Sequence, residues 1–220
     1  MTLMEAVENR HSVRKYFDKK IEPQKIDELN KFINENVSGS GLKMQIITDE
    51  PEAFGSALVH YGMFRNVKNY IAVVGKKGDE EKCGYYGEMV VLKAQQLGLN
   101  TCWVALTFKK SKVPCVIEKG EKLLIVITLG YGENQGVPHK NKPIEKLYNV
   151  SGDVGEWFFA GMKAAQLAPT AVNQQKFLIS AEGRRVRAKA LLGPCSKMDL
   201  GIVKYHFEIG AGKGNFEWID

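Results

Sequence analysis

Three short stretches hold the side chains best suited to chemistry. "RHSVRKYF" (10–17) crowds Arg10, His11, Arg14 and Lys15 around one hydroxyl, Ser12. "HKNKP" (139–143) spaces Lys140 and Lys142 two apart before a proline. "APTAVNQQKF" (168–177) offers a hydroxyl, amides and small side chains with little charge. Arginine presents a planar fork of donors to phosphate, and serine adds one more donor. In an extended segment alternate residues share a side, so both lysines can reach one anion. The uncharged loop suits a planar heterocycle that carries both donors and acceptors.

Each stretch also has a plainer reading. Cations after a helix meet the negative end of its dipole, an effect of about 0.3–1 kcal/mol. A lysine-rich turn is ordinarily solvated, and a polar loop after a helix is ordinarily a stop. Taken singly, the residues leave both readings open.

The elements that must position these stretches are legible from periodicity and punctuation. Thr2 and Glu5 form a capping box that opens a helix over 2–10. Pro23 starts a second helix over 21–36, with Ile26, Leu29, Phe32 and Ile33 at helical spacing. "SGSG" (38–41) ends it, and strands follow at 42–48 and 70–75. A long helix is expected at 81–99, a strand at 100–106, and the strongest strand pattern at 122–131. Residues 132–143 form a polar loop. A new section begins near Ser151: a helix at 153–167 stopped by Pro169, a strand pair at 176–180 and 184–192, a helix at 197–212, and a terminal strand at 215–218. "GYYGEMVVLKAQQLGLNTCW" (84–103) and "LGIVKYHFEIGAGKGNFEW" (200–218) share the order glycine, helix, glycine, tryptophan-bearing strand. This order reads as a degenerate internal repeat, although helix-to-strand units also recur by chance in mixed folds.

The composition excludes several classes. Charged residues make up 25% and hydrophobic residues 44%, an ordinary globular balance. The four cysteines and four histidines lack metal-ligand spacing, so no metal site is expected and the thiols read as free. No apolar run reaches membrane-spanning length, and "MTLMEAVENR" lacks a basic segment followed by an apolar one. A cytoplasmic protein without a membrane partner is expected. The net charge of +6 permits an anionic ligand. It also permits a basic nucleic-acid-binding module, but no nucleic-acid motif is present and no nucleic-acid partner is expected.

Taken in order, the motifs resemble those of the FMN-dependent nitroreductase family. "RHSVR" (10–14) is similar to that family's arginine-rich opening, "GLNTCW" (98–103) to its "GLGTCW", and Lys140-Asn141-Lys142-Pro143 to its "KxR-P" loop. Residues 168–177 are similar to its "APSxxNxQPW" loop. That last motif is displaced. In ordinary members it follows the arginine segment, where this chain reads "ENVSGSGLKMQII". The family's proteins are homodimers in which one subunit supplies the basic loops and the other the "APS" loop. The resemblance therefore implies an α+β nitroreductase-like fold, with an antiparallel-rich central sheet flanked by helices and a reduced second repeat. Residues 1–150 form the flavin-holding half and 151–220 the partner-like half. One monomeric chain then mimics a homodimer and holds one FMN.

The resemblance also implies roles. Arg10, His11, Ser12, Arg14, Lys140 and Lys142 hold the phosphate and the electron-rich ring edge. Trp103, Val104, Ala105 and Leu106 run along the ring. Pro169, Thr170, Ala171, Asn173 and Gln175 approach from the second half. No catalytic side chain is needed, because the flavin performs the redox step. The implied activity is hydride transfer from NADH or NADPH to a nitroaromatic or quinone-like small-molecule acceptor by a ping-pong route. The alternative within the family is a flavin-binding member with dehalogenase-like or lost redox activity.

Overall fold

A computed structural model describes residues 1–55 and 62–219. The reciprocal capping box is present: the Thr2 amide donates to Glu5 Oε2 at 2.7 Å and the Glu5 amide donates to Thr2 Oγ1 at 3.2 Å. The backbone hydrogen bond from Thr2 holds the Glu5 carboxyl below its ordinary range. It opens α1 (Leu3–Asn9), and Pro23 occupies the first turn of α2 (Pro23–Asn36). The other α-helices among the described residues are α3 (Glu80–Gln96), α4 (Glu156–Gln166) and α5 (Ser196–Ala211). The chain forms two compact units, one comprising Arg10–Asp79 and Val90–Val137, the other Met1–Asn9, Glu80–Met89 and Pro138–Asp220. This division by compactness differs from the expected halves 1–150 and 151–220. It transfers the first helix, the start of α3 and residues 138–150 to the C-terminal part.

The first unit is built on β1 (Lys43–Ile47), β2 (Tyr70–Gly75), β3 (Asn100–Val104) and β4 (Lys122–Gly130). Their order is β1-β2-β4-β3 and every neighbouring pair is antiparallel. β2 is buried along its whole length, as its unbroken apolar run requires. Tyr16 donates its hydroxyl proton to Val13 O at 2.7 Å and lies 2.7 Å from Thr128 Oγ1. A buried phenol needs such partners. Burial drives its pKa well above the ordinary tyrosine value. The strand expected over 100–106 ends at Val104, so Ala105 and Leu106 leave the sheet.

The second unit has its own sheet, of β5 (Tyr148–Ser151), β6 (Phe177–Glu182), β7 (Arg185–Ala190) and β8 (Glu217–Trp218). β6 and β7 form an antiparallel hairpin, with Gly183 at φ 55° in the turn. β5 pairs parallel with β6, and β8 parallel with β7. Trp157, Phe158, Phe207, Phe216 and Trp218 pack as one aromatic cluster, with Trp157 stacked on Phe216 at 5.7 Å.

α5 crosses the start of α3 at two glycines. A Cβ on Gly84 would sit 1.9 Å from Met198 O, and one on Gly201 would sit 1.9 Å from Glu81 O. The contacts are reciprocal: each glycine meets the carbonyl three positions before the other, and each also meets the amide nitrogen one position after it. Beside the crossing, His206 and Glu88 are both 0% exposed. His206 Nε2 lies 2.8 Å from Glu88 Oε1, and Nδ1 lies 3.1 Å from Ala164 O. The carbonyl can only accept, so Nδ1 carries its proton.

Candidate functional site

The first group of site residues lies in the first unit. Arg10 follows α1 directly and is 3% exposed. The segment after it runs parallel to β3. Ser12 bridges Thr101, and the Val13 amide donates to Thr101 O at 3.0 Å. The segment carrying Arg10, His11, Ser12 and Arg14 is thus held beside Thr101 of β3, the strand that runs on through Trp103 and Val104 towards Ala105 and Leu106. Next to Thr101 on β3 is the Cys102 thiol. Burial pushes its pKa up, against the pull of Arg14, the Ser12 hydroxyl and Arg10. The 132–136 loop seals the other side. Asn100 Nδ2 donates to Gln135 Oε1 at 2.9 Å, and the Gly132 amide donates to Asn100 Oδ1 at 2.9 Å. Gly136, at φ 73°, leaves no room for a side chain against His11. Val104 is buried, whereas Leu106 is 84% exposed.

The second group lies in the second unit, where the basic loop and the "APT" loop are stapled together. Gln175 is the hub. Its amide donates to Thr170 Oγ1 at 3.0 Å and its Nε2 to Gln166 O at 2.8 Å. Its Oε1 accepts the Lys142 amide at 2.6 Å, and its backbone carbonyl accepts Lys142 Nζ at 2.9 Å. Gln166 Nε2 donates to Lys142 O at 2.7 Å, and Asn173 Nδ2 to Lys140 O at 2.8 Å. Lys140, Lys142, Pro169, Thr170, Ala171, Asn173 and Gln175 are therefore brought together. The ammonium of Lys142 has a bracing contact that spacing alone did not reveal.

The bracing opposes real strain. Val172, Asn173 and Gln175 all hold positive φ, at 46°, 53° and 42°. For a β-branched residue this is outside the ordinary allowed regions, and each such residue costs about 1–3 kcal/mol. Asp199 and Gln174, missed at the sequence level, supply further ties. Both carboxylate oxygens of Asp199 accept the Ala171 amide, at 3.0 and 3.1 Å. Gln174 Nε2 donates to Asp199 Oδ2 at 2.8 Å and to Pro194 O at 2.6 Å. Nothing in the local sequence distinguishes Asp199 from an acidic residue that meets a helix dipole.

Two buried polar atoms of this group have no hydrogen-bond partner: Asn173 Oδ1 and His139 Nδ1. The Asn173 carboxamide has its donor side engaged by Lys140 O, so its free side is an acceptor. A ligand N–H or O–H is what such an atom requires. Among the described residues, no group of His, Cys, Asp and Glu could hold a metal ion. No helix among them is long and apolar enough to cross a membrane.

The family model described as "Putative TM nitroreductase" matches residues 2–211. The chain belongs to this family. No curated protein matches significantly. Among solved structures, a Thermotoga maritima protein described as a "putative nitroreductase" shares 23% identity over 97% of this chain and 85% of its own, with a TM-score of 0.70. A Desulfovibrio desulfuricans protein, a "putative nitroreductase in complex with FMN", shares 17% identity over 67% of this chain and 95% of its own (TM-score 0.53). A "Putative NADH dehydrogenase/NAD(P)H nitroreductase" from Bacteroides thetaiotaomicron shares 22% identity over 66% of this chain and 95% of its own (TM-score 0.53). These likenesses establish the α+β nitroreductase-family fold, with an antiparallel sheet flanked by helices.

Proposed function

We propose that this nitroreductase-family chain is an FMN-dependent NAD(P)H oxidoreductase that acts on nitroaromatic or quinone-like small molecules. The observation that carries the proposal is Asn173 Oδ1. It is a buried acceptor without a protein donor, in the loop that the motif resemblance assigns to a flavin ring. Flavin offers a ring N–H of the required kind. The basic side chains also fit a phosphate. In the first unit Arg10, His11, Ser12 and Arg14 offer donors for a phosphate, and in the second Lys142 holds the loop that carries the acceptor.

When bound, FMN would supply two-electron hydride chemistry between a nicotinamide donor and the acceptor. The side chains bind and orient. A fixed charge from Arg10 favours added negative charge on a ligand. Ala105 and Leu106, free of the sheet, offer apolar surface without a group that could exchange protons. Strained, pre-set loop geometry lowers the ordering cost of binding.

The proposal extends to architecture: one chain stands in for a homodimer, binds one FMN and is monomeric. Three observations support this. Among the described residues, the order helix, strand, strand, helix, strand, with a 3₁₀ turn after the first helix, occurs from α2 to β3 and again from α4 to β8; the two runs differ in one further 3₁₀ turn each, Glu52–Phe54 in the first and Lys213–Asn215 in the second. The Gly84 and Gly201 contacts are mutually reciprocal, which is the mark of an isologous interface. Two of the similar structures are almost wholly covered by about two thirds of this chain. On this reading β5, the last strand of residues 1–150, is donated to the sheet of the second repeat.

The test is the visible spectrum of the purified protein after incubation with FMN and desalting. About one retained FMN per chain, bleached by NADH or NADPH and restored by a quinone, is expected. Retention without bleaching would leave a binding protein that has lost turnover. No retention refutes the reading.

A further inference from the structure

Asp199 does something costly. It lies in the first turn of α5 and is 5% exposed, yet its hydrogen-bond donors, the Ala171 amide and the Gln174 carboxamide, are neutral. Burial pushes its carboxyl up to about 6, outweighing those hydrogen bonds. A buried group that weakens the fold when ionised is commonly kept for what its chemistry positions.

Its chemistry here is that of a pure acceptor. Gln174 Nε2 sits between two acceptors, Asp199 Oδ2 and Pro194 O. Turning the Gln174 amide over would aim its oxygen at both. An asparagine at 199 would aim its own NH2 at a donor, or lose the Ala171 amide. Only a carboxylate accepts both donors at once. Those two donors bracket Val172 and Asn173, the first residues held at positive φ in the loop.

We propose that Asp199 is a positioning residue for loop 170–175: its ionised carboxylate fixes the Ala171 amide and the Gln174 side chain, and so holds Asn173 Oδ1 as a pre-set acceptor for the flavin ring. This rests on the flavin reading above. Protonation turns one acceptor oxygen into a donor, so the hydrogen bonds that hold the loop are complete only in the ionised form, even though ionising a buried carboxyl weakens the fold as a whole. The ionisable group that interacts with Asp199 is Cys195 on the same helix end, whose thiol is raised by burial and by Asp199; the loop stapled to 170–175 carries His139, Lys140 and Lys142.

The experiment compares full-length wild type with Asp199→Asn, which preserves volume. FMN affinity is measured by fluorescence quenching from pH 5 to pH 8. Amide hydrogen exchange is measured at pH 7.5 without FMN. The second ionisation of the FMN phosphate, at about pH 6, affects both proteins alike, so wild-type affinity should rise about tenfold more between pH 5 and 8 than that of Asp199→Asn. The amides of Ala171 and Gln174 should exchange faster in the variant, with those of β6 unchanged. A wild-type profile no steeper than the variant's, or a variant with wild-type affinity, overturns the proposal. If the wild type binds no FMN at any pH, the flavin reading fails. The exchange data then decide the loop role alone: unchanged protection at 171 and 174 overturns it.

Discussion

Gly84→Ala and Gly201→Ala probe the helix crossing directly. In either variant the new Cβ would lie 1.9 Å from a backbone carbonyl oxygen, while ordinary contact begins near 3.4 Å. One helix must therefore retreat by about 1.5 Å at the crossing, the difference of those two values. The obstacle is main chain, so no rotamer change relieves it. Overpacking of this kind costs about 1–3 kcal/mol, and backbone clashes fall at the upper end. The better helix propensity of alanine returns about 1 kcal/mol at most. A net loss of about 2 kcal/mol is expected for each variant. In urea, with a slope of about 2 kcal/mol/M for a chain of this size, the midpoint falls by about 1 M. Because the contacts are reciprocal, the two losses should agree to within about 0.5 kcal/mol. Urea unfolding followed by circular dichroism reads both. A midpoint unchanged or raised in either variant refutes the close-crossing argument. A large loss in one and none in the other refutes its two-fold character.

Two further outcomes follow from buried charge. Glu88→Leu or His206→Leu alone should cost about 3–5 kcal/mol, because each removes the side-chain partner of a polar group at 0% exposure, while the double variant should cost much less than the sum; additive losses in a double-mutant cycle contradict the pairing. The folded pKa of Asp199, about 6, lies above its ordinary 3.8, so its contribution to stability is fully present below about pH 4 and is lost as pH rises through 6. The loss amounts to about 3 kcal/mol. Asp199→Asn should flatten that part of a stability-pH profile, and a variant that keeps the wild-type slope between pH 4 and 7 refutes the assignment.

Much of this molecule was legible from local chemistry. The Thr2 and Glu5 pair set the first helix start because a capping box needs only residues three apart. Pro23, the "SGSG" break and the turn at Gly183 worked for the same reason. β5 went unread. Its four residues alternate only weakly in burial and become a strand by pairing with β6, some thirty positions on. The end of β3 was placed two residues late, because Ala105 and Leu106 continue an apolar run that the sheet does not use.

The candidate site divides along the same line. The sequence by itself determined which stretches carry donors, which carry amides, and their family, since motif order and residue type are properties of the chain. Only the tertiary structure decided that Lys142 braces Gln175, that Asp199 ties Ala171 and Gln174, and that Asn173 Oδ1 lacks a donor. Each depends on groups 25 to 33 positions apart meeting within hydrogen-bond distance. The direction of a donor, and whether water reaches it, follow from packing, and no spacing rule within one segment records either.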